Sequence, residues 1–149
     1  MSRLVVGLAL TLCVLAAPAL GGSTTARADD AASTAPFRAK LVSNVAVARK
    51  GATSLGAFAK HAPPKTLSAD EKKAWSDQSK AFATGAARLT ALRTRMDAVL
   101  AKTNAPASEL AQINLELANA HQEIENESQR YAVGTATKSR HDTAMKSMR

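Results

Sequence analysis

Trp75, Phe82, Leu89 and Met96 recur every seven residues, and Leu92 and Val99 fill the positions three further on. A seven-residue apolar repeat draws one stripe along an α-helix but scatters over both faces of a strand. The chain repeats the device with Leu110, Leu117, Ile124 and Tyr131, joined by Ile113 and Ala120. Between the two seams lies "TNAPAS", where Asn104 can end one helix and Pro106 can begin the next. Two seams joined by so short a turn must lie antiparallel. The predicted fold is therefore all-α: an elongated antiparallel helical hairpin with helices over about 69–102 and 106–133. The start of the first is marked by Ser68 and Glu71 in a capping box.

The charges specify how the two seams meet. Residues 109–129 sum to −5 within a chain of net charge +8, and residues 70–102 sum to +3. In the register that brings Met96 to Ile113 and Leu89 to Ala120, the flanking residues pair as Lys102–Glu109, Arg95–Glu116 and Arg88–Glu123. All three pairs are opposite in sign, so the acids gathered in the last helix answer a basic partner helix. Parallel or slipped pairings lose them. The same register sets Ile124 opposite Gly85 and Trp75 opposite Gly134. It also sets Phe82 opposite Glu127, a poor match that is relieved if another helix covers Phe82.

A third, N-terminal helix is predicted from Phe37, Leu41, Val45, Ala48, Ala52, Leu55 and Ala59, whose steps alternate between three and four. It starts near Thr34 and stops at Pro63-Pro64. Packed in the groove of the hairpin it gives a three-helix bundle of coiled-coil character. Docked elsewhere, it meets another copy or another protein. Ahead of it, "MSRLVVGLALTLCVLAAPAL" has the basic start and short apolar core of a signal peptide. Ala26-Arg27-Ala28 fits a cleavage site, which assigns 1–28 to a leader and predicts a periplasmic or secreted protein of a bacterial envelope. Residues 29–35 read as an unstructured mature N-terminus, 36–133 as the helical domain, and 134–149 as a basic C-terminal segment able to continue as helix. The only cysteine, Cys13, falls in the leader, so the mature chain has no disulfide, thiol nucleophile or thiolate metal site.

Sequence motifs for chemistry are sparse. His121 and Glu125 share a helix face, but two ligands without a third do not make a metal centre. His141 and Asp142 are adjacent and diverge on a helix. No nucleophile elbow or glycine-rich phosphate loop occurs, and the serines read as caps, turns or surface. The reading is of a non-catalytic protein with no cofactor and no metal.

Charge carries more information. Residues 29–69 and 130–149 each sum to +4, so the unpaired positive charge sits on the first helix and the C-terminal segment. Candidate contact residues are Lys40, Arg49, Lys50, Arg130, Lys138, Arg140, Lys146 and Arg149. Aromatic residues are not interleaved with them, which argues against single-stranded nucleic acid. The expected role is that of a helical interaction or structural protein, with a protein partner or self-association. The alternative is binding of an anionic envelope polymer or membrane surface through the two basic segments. No segment of the mature chain is long and apolar enough to remain in a membrane.

Overall fold

The computed structural model describes residues 25–149, and side chains from Ser33 onward. Most of the predicted leader thus lies outside the described residues. Four helices and no strand occur among the described residues: α1 (Thr25–Lys60), α2 (Ala69–Ala101), α3 (Ala107–Gln129) and α4 (Thr135–Met148).

The hairpin of α2 and α3 adopts the predicted register. Lys102 reaches Glu109 at 2.5 Å, Arg95 reaches Glu116 at 2.6 Å, and Arg88 pairs with Glu123. Ser68 and Glu71 cap α2 reciprocally, each accepting a backbone N–H of the other. Gly85 gives Ile124 room where it crosses α2. A Cβ there would lie 3.0 Å from Ile124 Cγ1 and 3.2 Å from Leu55 Cδ1, pinched between two helices.

α1 runs antiparallel to α2 and buries its stripe against the hairpin. Leu41, Ala48 and Leu55 are fully buried, while Val45, Ala52 and Ala59 pack at the margin of the same core. The stripe residue Phe37 stays 38% exposed. Both ends of α1 are fastened by hydrogen bonds. Arg38 donates to the carbonyls of Lys102 (2.9 Å) and Leu100 (2.7 Å), which the end of α2 leaves without helical partners. At the other end Trp75 Nε1 donates to the His61 carbonyl at 2.9 Å. Phe58 of α1 lies against Phe82, ring centroids 6.0 Å apart. The first helix therefore covers Phe82, and Glu127 turns outward to Arg130 at 3.2 Å.

Three boundaries differ from expectation. α1 begins at Thr25 rather than near Thr34, and Pro36 lies inside it. Residues 29–35, expected to be unstructured, are thus helical; their alanines favour helix, which persists although Pro36 removes one backbone donor and its ring crowds the carbonyl one turn back. α3 stops at Gln129 instead of about Val133: Tyr131 and Ala132 donate to the Ser128 and Gln129 carbonyls, tightening the chain into a turn. Residues 135–148 then return as α4, antiparallel to α1, with Arg140 near Phe58 and Met148 near Gly51. The three-helix bundle is thus completed by a short fourth helix along its lower half. Gly134 meets Glu71 rather than Trp75, because the turn redirects the chain before Tyr131 can continue the seam.

Candidate functional site

The eight basic residues singled out above occupy three different environments. Lys40, Arg49 and Lys50 are exposed on α1, and Lys138 and Lys146 on α4; none of the five makes an ion pair among the described residues. Arg130 and Arg149 are exposed but engaged, with Glu127 at 3.2 Å and Glu125 at 3.8 Å. Arg140 does not belong to the surface at all. It is 5% exposed and fills the lower end of the bundle.

Arg140 organises that end. Its guanidinium donates to the Trp75 carbonyl at 3.1 Å, to Gln78 Oε1 at 3.3 Å, to Ser79 Oγ at 2.9 Å and to the Phe58 carbonyl. It also stacks 4.1 Å from the centre of the Trp75 ring and 5.1 Å from that of Phe82. No carboxylate is among these partners. Burial pushes the guanidinium down to about 10, so the group is still charged at neutral pH. Gln78, fully buried, extends the network by donating to the Thr137 carbonyl at 3.0 Å and the Ser128 carbonyl at 3.4 Å.

Ser128 and His141 form a second buried pair, Oγ to Nδ1 at 2.9 Å. The serine is therefore not a surface residue, as its sequence context implied. Its hydroxyl also lies 2.8 Å from the Ile124 carbonyl and 3.2 Å from that of Glu125, while Asp142 points to solvent. The pair links α3 to α4, and among the described residues no carboxylate hydrogen-bonds the imidazole. His121 lies half-buried near the end of α4. Burial first, and the Arg149 charge second, hold its imidazole below the ordinary histidine range. Glu125, on the same helix face, lies 3.8 Å from Arg149. No group of three His, Cys, Asp or Glu with metal-binding placement occurs among the described residues.

The open surface consists of shallow clefts. Three of them, of about 410, 350 and 270 Å³, lie along the outer groove between α2 and α3. Their arginines and lysines are already paired with glutamates of the ladder or, for Arg130, with Glu127. A smaller cleft of about 210 Å³ opens between α1 and α2, lined by Arg49, Ala52, Thr53, Thr90 and Arg93. No helix of the described residues is long and apolar enough to cross a membrane. No protein-family model matches the chain, and comparison with curated proteins and with solved structures finds no match.

Proposed function

We propose that this chain is an exported, non-catalytic contact protein of a bacterial envelope, working through the outer face of α1. The observation that carries this reading is the composition of that face. Val42, 59% exposed, sits among exposed Ala46, Arg49 and Lys50, and the sequence holds no Asp or Glu between residues 31 and 69. An apolar side chain on one face with two unpaired cations fits a partner helix that offers an apolar groove edged with acids. Because the inner stripe of α1 is buried against the hairpin, a partner or second copy that docks on α1 would use this outer face. Light scattering with small-angle X-ray scattering at low and high salt tests the reading. A salt-resistant assembly that Val42→Asp dissolves supports it. A monomer at both salts, with and without candidate acidic partners, refutes it.

A second reading has its own support. Lys40, Lys50, Lys138 and Lys146 are exposed without acid partners among the described residues, and α4 packs against α1, bringing the two basic segments onto one body. That arrangement suits an anionic polymer or membrane surface. Binding of this kind collapses with added salt, whereas docking through Val42 does not.

A further inference from the structure

Arg38 holds carbonyls, Arg140 is buried in a neutral network, and most of the other described arginines oppose a carboxylate within the chain. Arg49 is the exception among the described residues, and it lines the cleft between α1 and α2. Arg93 enters the same cleft from α2. Its Nε is enclosed and makes no hydrogen bond; the Asp97 carboxylate stands 3.6 Å away, one turn along. Two arginines thus line one small cleft, and the one acid paired with either of them among the described residues is Asp97.

We propose that Arg49 and Arg93 form a two-guanidinium site for a phosphate group. The choice of phosphate follows from counting donors. One guanidinium fork is satisfied by one carboxylate, as Arg95 shows by donating to both Glu116 oxygens at 2.6 and 3.1 Å. Two arginines lining one cleft suit an anion with more than two oxygens, which a tetrahedral phosphate supplies. Thr53 and Thr90 border the cleft, but their hydroxyls donate to the Arg49 carbonyl at 3.0 Å and the Ala86 carbonyl at 2.8 Å. The guanidinium N–H groups are therefore the donors, and Asp97 competes with the ligand for Arg93. This inference rests on the second reading, anion binding through basic α1, and adds to it a place between α1 and α2 and one chemistry.

The test follows the arginine Nε–H resonances by NMR while inorganic phosphate is added to the full chain. Saturable shifts at Arg49 and Arg93 are expected. Arg49→Gln should weaken the remaining response at Arg93 by at least about tenfold, the loss of a charge-assisted pair. Asp97→Asn should tighten it. Lys72→Gln, the same charge change about 30 Å along α2, should leave it unchanged. A second arm measures co-sedimentation with phosphatidylglycerol–phosphatidylcholine vesicles. Binding that Arg49→Gln weakens makes the phosphate that of a lipid headgroup; phosphate binding with no effect of Arg49→Gln on vesicles makes it a soluble phosphate ester. The site is refuted by phosphate shifts that persist in Arg49→Gln. It is equally refuted if phosphate gives no saturable shift and vesicle binding does not depend on Arg49. Salt-sensitive vesicle binding in that last case would leave the second reading standing without this site.

Discussion

The ion-pair ladder on the outer edge of the hairpin and the single buried cation at its lower end use charge in opposite ways. Along the ladder each cation has an anion, and each pair is bathed in water: Arg95 is 61% exposed and Glu116 26%. Such pairs contribute about 0–1 kcal/mol each and are screened by salt. Their effect is to make one register better than its neighbours. Arg140 has no anion among the described residues and is 5% exposed. Its charge is held by three uncharged oxygen acceptors, one amide and two aromatic faces. Removing it empties the joint where α1, α2 and α4 meet. Exposed charge selects the arrangement, and buried charge fixes it.

The comparison is attacked most directly at Arg140. Arg140→Ala is expected to cost about 3 kcal/mol, from a cavity beside Trp75 and Phe82 together with lost hydrogen bonds. Urea unfolding should show a lower midpoint with little change in slope. Arg140→Met keeps an apolar stem against both rings and removes a charge that has no counter-ion, so it should cost less than the alanine variant. If methionine is as damaging as alanine, hydrogen bonding rather than packing holds the joint.

Arg95→Glu is the corresponding test of the ladder. It places like charges across the groove and should cost about 1 kcal/mol at low salt. Adding Glu116→Arg should recover most of that loss, and about 1 M salt should erase the difference between all three proteins. A double variant as unstable as the single one would mean that the ladder plays no part in choosing the register.

The hairpin was legible in the sequence because its signals agree. Heptad spacing, the Ser68–Glu71 box, the turn at Pro106 and the flanking charges all specify one arrangement. The lower end was not legible because its core is polar. Gln78 occupies the heptad slot between Trp75 and Phe82 and is fully buried, yet glutamine does not register in an apolar pattern. Ser128 takes the place next to Ile124 that the seam assigned to Glu127. In α4, Thr137, His141, Ala144 and Met148 are all buried at helical spacing, but two of the four are polar and the stripe disappears. For the same reason Arg140 looked like surface charge. A signal was present: Gln78 interrupts an otherwise apolar seam, and a polar residue in such a slot requires buried partners. The cleft at Arg49 lay beyond reach for a different reason, since it needs the side-by-side placement of α1 and α2 and not the pattern of either.

His121 provides the gentlest test, because it is partly buried and lies between the two regimes. Burial, and then the Arg149 charge, hold its imidazole below the ordinary value of 6.5. The unfolded chain therefore takes up this proton first as the pH falls. The contribution to stability is full above the ordinary value. It is lost as the pH drops through that value toward the lowered one, and the loss is complete below it. Urea unfolding at pH 8 and pH 5.5 should show this decrease, and His121→Gln should flatten it. Arg149→Gln should reduce the decrease without abolishing it, since burial is the larger cause. The carboxylates of Glu71 and Asp77 are held below their ordinary values by Ser68 and by Lys73 with Lys80, so their contributions fade only at more acid pH and do not overlap this range. If His121→Gln leaves the slope unchanged, the imidazole is as freely hydrated in the folded chain as in the unfolded one. The end of α4 would then cover this histidine far less tightly than it covers Gly51.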